Sequence, residues 1–446
     1  MFWSSSFLSP ALVGILTFII YICISAVFQH SHVSLILIKS LPGLFKMHFF
    51  RLLGTAIIFA GISHSSPTRR FNAFNSSTIS VADFASNALK VAKSNVPSTG
   101  ECTPDKLIVR KEWGALSAEQ RIDYTNAVLC LQGKKAKTPS DLVPGAKSRF
   151  DDFISTHINH TFTSHYTASF LLWHRWFIWE YEKALRDECG YKGYQPYWDW
   201  AKTAETGLAV SPLFDGSATS LSGNGEYIPS NGTHIDINGI DLPDGTGGGC
   251  VKTGPFKNYT VNMGPVALSL RSSSENGTSI GSTATQWNWN PRCFKRDLTD
   301  YSVQRFANET SVRRLIAESK NMEQFEMTMQ GYPGSGELGV HGGGHYALGG
   351  DPGRDFFVSP GDPAFYLHHA QVDRTWWIWQ QQAPSTRCGG PTAIWGTRTF
   401  LNEPPSANAT YDDAMDLDWA GAHYGEVRKL GDVMSTTEGG FCYVYE

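Results

Sequence analysis

Two groups of histidines constrain this 446-residue chain more than any other feature. His157, His160, His165 and His174 fall within one stretch of 18 residues. His341, His345, His368 and His369 form a second group further along the chain. Of the 14 histidines, only His234 and His423 lie elsewhere once His30, His32, His48 and His64 are set aside with the leader. One histidine on an apolar helix face is more often a hydrogen-bonded core residue than a ligand. Two such sets in one chain point to metal.

The local patterns say how these side chains could meet. Phe150, Phe153, Ile154 and His157 recur at the spacing of a buried helix face. The polar stretch from Thr161 to Ser169 predicts a loop carrying His165. A long helix is expected over Phe170–Glu188, with His174, Phe177, Ile178, Tyr181 and Leu185 on one face. His341 and His345 are spaced i, i+4, which puts both rings on one side of a helix. The three glycines between them cost about 1 kcal/mol each against alanine. Such a cost implies that something approaches this backbone closely. Asp362-Pro363 reads as an N-cap and N1 pair. The helix it opens carries Phe365, His369 and Asp373 along one face, with His368 turned about 100° away. One of the adjacent pair can therefore ligate with this face and the other is expected beside the ligands, with Asp373 or a backbone carbonyl orienting a ring N–H.

The remaining elements are weaker. Ser117-Ala-Glu-Gln120 is a capping-box pattern that opens a helix. Residues 201–305 read as long loop with short strands. Helices are expected over Ser311–Lys320 and Asn321–Gln330. The fold class that follows is mainly α, a four-helix-bundle core with long loops and few short strands.

The first 66 residues read as leader. An apolar run covers residues 11–28, and a second unit beginning at Met47 has the anatomy of a secretory signal peptide. Translation from Met47, cleavage near Gly61–Ser66 and secretion are expected, with a signal-anchored membrane protein as the alternative. Residues 67–100 are expected to be a loose arm, or a weak helix over Val81 to Ala92, before a single catalytic domain over 101–446. Seven dispersed cysteines follow the leader: Cys102, Cys130, Cys189, Cys250, Cys293, Cys388 and Cys442. In an exported chain they read as disulfides with one left over. Glycosylation sequons begin at Asn75, Asn159, Asn231, Asn258, Asn276, Asn308 and Asn408, and Asn159 is expected to be too buried for modification. A net charge of −4 with no basic stripe excludes a nucleic-acid partner. No stable membrane association is expected once the leader is removed.

Three imidazoles per cluster with no matching carboxylate or thiolate is a distinctive donor set. Hydrolytic two-metal sites bring bridging carboxylates, so a zinc hydrolase is disfavoured. Neutral imidazoles suit a pair of copper ions that changes oxidation state and meets dioxygen.

At this point the residues resemble a family. The spacing of His157, His165 and His174, the FLLWHRWF and PYWDW segments, the His341-x3-His345 pair and DPAFYLHHAQVDRTWWIWQ are similar to type-3 copper proteins: tyrosinases, catechol oxidases and haemocyanins. The resemblance covers about residues 100–446 and is nearest to short fungal tyrosinase-like enzymes without a C-terminal shielding domain. It implies that His157, His165 and His174 hold one copper ion, and that His341, His345 and His369 hold the other. His369 is chosen over His368 because Phe365-x3-His369-x3-Asp373 matches the family pattern. It further implies that Glu337 holds an active-site water, that Phe356 is the gate residue, and that Tyr443-Val-Tyr445 closes the domain against Arg110. Thr163 stands where many members carry a thioether-forming cysteine. Gly342 stands where efficient monophenol hydroxylases often carry asparagine. The implied activity is oxidation of o-diphenols or o-aminophenols with O2 as co-substrate, monophenol hydroxylation being weak or absent. A true tyrosinase and a haemocyanin-like oxygen carrier share the ligand set and stand as alternatives.

Overall fold

The computed structural model describes residues 79–267 and 286–446. The expected leader, Cys23 and the sequons at Asn75 and Asn276 lie outside the described residues. The chain forms, in order, α1 (Val81–Asn95), β1 (Ile108–Arg110), α2 (Ala118–Gly133), α3 (Arg149–Ser164) and α4 (Phe170–Lys183). A wide π-type turn, Ala184–Glu188, continues α4, so the predicted long helix is present. Then come α5 (Trp200–Thr206) and the strands β2 (Gly225–Tyr227), β3 (Thr233–Ile235), β4 (Ile240–Leu242), β5 (Gly248–Val251), β6 (Thr260–Val261) and β7 (Arg292–Cys293). Five helices follow: α6 (Asp300–Phe306), α7 (Glu309–Glu318), α8 (Met322–Gln330), α9 (Gly339–Leu348) and α10 (Ala364–Gln380). The chain closes with β8 (Ala414–Asp416), β9 (Val427–Lys429) and β10 (Tyr443–Tyr445).

Helices α3, α4, α9 and α10 make the bundle core, with α4 packed on both α3 and α10, and α9 on α10. Each begins or packs for a readable reason. Ser148 and Asp151 form a reciprocal capping box at the start of α3. The Asp152 carboxylate, one residue on, accepts from the Lys137 and Thr138 amides and fastens the preceding loop to the helix. In α10 all residues from Ala364 to Gln380 are buried, the pattern of a helix surrounded on every side rather than an amphipathic one. Asp362 caps it by accepting from the Ala364 amide, and its carboxylate takes both Arg296 Nε and Nη2, at 2.8 and 2.6 Å. Arg296 also donates to the Leu221 and Ser222 carbonyls, so one guanidinium anchors the long insertion to the start of α10.

The three glycines between His341 and His345 each admit a different neighbour. A Cβ on Gly343 would lie 2.7 Å from Phe306 of α6, and one on Gly344 only 2.3 Å from the His368 ring. Gly342 faces the cleft described below. The expected close approach is therefore a partner helix at one glycine and a histidine ring at the next.

Of the two readings of the segment before Cys102, the described residues show the helix: α1 has its own Ser80–Asp83 capping box, runs past Ala92 to Asn95 and buries Val81, Ala85, Ala88 and Ala92, packing on α10. One expectation needs correction here. The 201–305 stretch holds α5 and α6 as well as short strands, because helices of seven residues leave too little periodicity to read.

The strands form two-stranded ribbons. β1 and β10 run parallel, pairing Ile108 with Tyr443 and Arg110 with Tyr445. The Cys102–Cys442 disulfide lies beside this pair, and Cys130–Cys189 and Cys250–Cys293 complete the bridges, leaving Cys388 free. No helix among the described residues is long and apolar enough to cross a membrane.

Candidate dinuclear metal centre

Three of the four histidines of the first group, His157, His165 and His174, are each aimed by a backbone carbonyl, while His160 faces Asp416 and Asp418. His157 Nδ1 lies 2.8 Å from the Phe357 carbonyl, His165 Nδ1 2.9 Å from that of Thr161, and His174 Nδ1 2.7 Å from that of Phe170. A carbonyl only accepts, so Nδ1 carries the proton and Nε2 keeps its lone pair. His157 Nε2 and His174 Nε2 are buried with no protein partner. Ligand atoms of the three rings lie within 4.8 Å of one another. α3 runs to Ser164, further than its polar composition suggested, and His165 sits on its C-cap in extended conformation.

The second group converges more tightly. His345 Nε2 lies 3.2 Å from both His341 Nε2 and His369 Nε2. Tetrahedral ligands about 2.0–2.1 Å from a metal ion stand about 3.3 Å apart, so this spacing is that of a site built for one. The two groups face each other: the His174 and His369 rings stack at 4.3 Å, and those of His165 and His341 are 5.8 Å apart.

His368 lies close enough to join the second group by distance alone. Its hydrogen bonding argues otherwise. The Trp200 indole N–H, from the PYWDW segment, donates to His368 Nδ1 at 3.0 Å. The ring proton of the neutral imidazole is then on Nε2, and neither nitrogen offers a free lone pair. His369 is the better ligand, in line with the family pattern, and Trp200 is a supporting residue the sequence did not reveal.

Burial sets the charge state. Desolvation holds all six rings well below the usual imidazole range, with His165 and His345 pushed down to about 3. Imidazole binds metal only when neutral. Six neutral nitrogen donors, with no carboxylate among them, suit copper.

The site opens into a narrow cleft lined by His165, His341 and His345 together with Phe356, Gly342, Leu338, Tyr166, Tyr346, Gln330 and Arg354. The Phe356 ring lies 4.7 Å from that of His165, where a gate would stand. Gly342 presents no side chain to this space. Tyr346, Gln330, Arg354 and the Ile237–Asn238 turn were missed: only Tyr346 had a signal, being next to His345.

Three expected roles are not what the structure places there. The Glu337 side chain is 60% exposed and pairs with Arg305 at 3.1 Å. Its backbone carbonyl, not its carboxylate, turns inward, accepting from Asn238 Nδ2. Asp373 orients no histidine; its Oδ1 accepts from Arg175 Nε at 2.6 Å, and its Oδ2 from the Tyr443 and Tyr445 hydroxyls. Arg110 joins this cluster, donating to Tyr445 Oη at 3.0 Å and to Glu182, with Tyr443 under its guanidinium. The tyrosine motif and its arginine partner thus meet as predicted, and Asp373 holds them. Asn159 is exposed rather than buried, its amide donating to Asp418.

A helical bundle offering two facing sets of three neutral imidazoles defines a dinuclear metalloprotein. Comparison with known proteins specifies which. The family described as the common central domain of tyrosinase matches residues 147–382. Tyrosinase P of Aspergillus terreus is 40% identical over 373 residues, 81% of this chain and 99% of that protein. N-acetyl-6-hydroxytryptophan oxidase of Emericella nidulans is 36% identical over 356 residues, covering 78% of this chain and 94% of that one. A variant polyphenol oxidase of Thermothelomyces thermophila superposes with a TM-score of 0.73 at 45% identity, covering 82% of this chain and 97% of that one. The chain belongs to the tyrosinase family and is an oxidoreductase of tyrosinase type. The family implies a dinuclear copper centre and small phenolic substrates.

Proposed function

We propose that the protein oxidises o-diphenols or o-aminophenols to o-quinones or quinone imines and hydroxylates monophenols weakly or not at all. The observation that carries the oxidase reading is the pair of converging imidazole sets, His157, His165 and His174 against His341, His345 and His369. These residues would hold two copper ions, which supply the electron-transfer and dioxygen chemistry when bound. In the overall reaction two o-diphenols lose two electrons and two protons each, and one O2 becomes two waters.

The chain's own residues do the rest. The Phe357, Thr161 and Phe170 carbonyls fix the tautomers and directions of three rings. Phe356 stands against His165 and limits the width available to an incoming ring.

Two observations support weak monophenol hydroxylation. Gly342 has no side-chain amide with which to hold a water. Glu337 faces solvent, and Asp355, the acidic side chain lining the cleft, has its oxygens taken by the Val266, Ala267, Phe357 and Val358 amides. No carboxylate lining the cleft is left to take a phenol proton. Oxygen uptake with catechol and with tyrosine tests this: catechol should be consumed far faster, and comparable rates would sink the reading.

We further propose that the protein is exported. Three disulfides fit an oxidising compartment. N-terminal sequencing of protein from culture medium should begin between Gly61 and Ser66; retention of the whole chain in the membrane fraction would refute it.

A further inference from the structure

We propose that Arg354 makes this cleft selective for phenols that carry a carboxylate. The inference rests on the phenol-oxidase reading and names its substrate class. Arg354 lines the same cleft as His165, His341 and His345. Its Nη1 donates to Thr233 Oγ1 on β3 at 2.8 Å, which holds the side chain in place. Its Nε is buried without any acceptor. Among the described residues no carboxylate pairs with it. Neighbouring Asp355 does not serve, because four backbone amides occupy that carboxylate.

Buried Arg110, Arg175 and Arg296 are answered by acids, Glu182, Asp373 and Asp362. Arg110 Nη2 and Arg374 Nη1 are also buried without an acceptor, but neither arginine lines this cleft. Leaving a buried donor unmade costs free energy, so a desolvated N–H with no partner beside a binding cleft calls for a ligand that supplies the acceptor. A guanidinium matches a carboxylate with two parallel N–H···O bonds. Apart from Asp355, whose oxygens are already taken, the rest of the lining away from the three histidines is mainly aromatic, aliphatic or amide. One fixed cation in such a setting favours an anionic substituent and repels an ammonium group. The phenol ring would enter past Phe356, with the carboxylate trailing on the side of β3.

The test uses the copper-loaded chain with 3-(3,4-dihydroxyphenyl)propanoate and its primary amide, which differ in charge and hardly in shape. The wild type should show a KM for the acid about tenfold below that for the amide, the size of one charge-assisted pair. Arg354→Gln should remove that ratio, and raising the ionic strength should shrink it in the wild type. Arg354→Lys, which keeps charge but not the fork, should restore part of it and serves if the glutamine variant does not fold. Equal KM values in the wild type, or an equal rise for both compounds in Arg354→Gln, would overturn the proposal. If the wild type oxidises neither compound, the oxidase reading fails instead. Calorimetric titration of the same protein with the acid and the amide then judges Arg354 alone: tighter binding of the acid, lost in Arg354→Gln, supports it, and equal binding overturns it.

Discussion

Replacing Asp373 with alanine should be among the most damaging single changes in this fold. The carboxylate is 3% exposed and has no spare capacity. One oxygen takes Arg175 Nε at 2.6 Å, the other takes two tyrosine hydroxyls at 2.7 and 2.6 Å, and Arg110 Nη1 stands 3.7 Å away. Removing one partner of a buried ion pair costs about 3–5 kcal/mol, because the remaining charge is left uncompensated. The stranded hydroxyls would add to this, at about 1–3 kcal/mol for each unmet buried group. Working against the sum, Arg110 keeps Glu182, and Arg175 keeps the Val433 and Met434 carbonyls and Gln380 Oε1. The expected loss is therefore about 3–5 kcal/mol, a large part of the about 5–15 kcal/mol that holds most domains folded. Tyr443→Phe should cost about 0.5–1.5 kcal/mol, and much less in an Asp373→Asn background. Denaturant unfolding of the wild type, the three single variants and the Asp373→Asn/Tyr443→Phe double variant at fixed copper concentration measures all of this. An Asp373→Ala loss below about 1 kcal/mol would show that the cluster does not lock the chain's ends to α10.

Three further expectations follow from the site. Phe356→Ala should raise kcat/KM for bulky diphenols by about tenfold relative to catechol, since it removes the ring beside His165; steady-state kinetics that rise equally for both substrates would deny it a gating role. Gly344→Ala would drive a methyl into the His368 ring and force α9 and α10 apart, at about 1–3 kcal/mol, so copper bound by the second cluster should fall; unchanged copper content would show that the helices have room to give. His160 lies 3.3 Å from Asp416 and 3.1 Å from Asp418; burial works against its charge, but these carboxylates outweigh it and push the ring up to about 9. A raised folded value means stability that is complete below the ordinary imidazole range and is lost as pH rises through about 9. The thermal midpoint should fall between neutral pH and about pH 9.5, less so in His160→Asn, and parallel curves for the two proteins would contradict the pairing.

Much of the centre was legible because metal ligation imposes both residue type and helical spacing. The i, i+4 pair His341 and His345 and the face shared by Phe365 and His369 came straight from 3.6 residues per turn. The preference for His369 came from the family pattern Phe365-x3-His369-x3-Asp373, and hydrogen bonding then supported it through Trp200 and His368. What could not be read depended on the direction of a side chain at a loop or a crowded helix. Glu337 follows Gly336 in a left-handed conformation and precedes a helix start, and nothing local says whether its carboxylate or its carbonyl turns inward. Asp373 had two sequence-distant suitors, the histidines and the tyrosine motif, and only packing chose between them. The helix over Val81–Asn95 was legible only as an alternative to a loose arm, because its buried face is mostly small alanines in a Ser/Ala/Asn-rich stretch. Arg354 gave no signal at all, since its interest lies in the partner it lacks.

Copper content per chain, measured by elemental analysis of purified protein, tests the central claim most directly. Two copper ions should be bound in the wild type, with the number falling to one or fewer in both His174→Ala and His369→Ala. A single metal ion per chain, or two retained in both variants, would contradict a centre built from the two facing histidine sets.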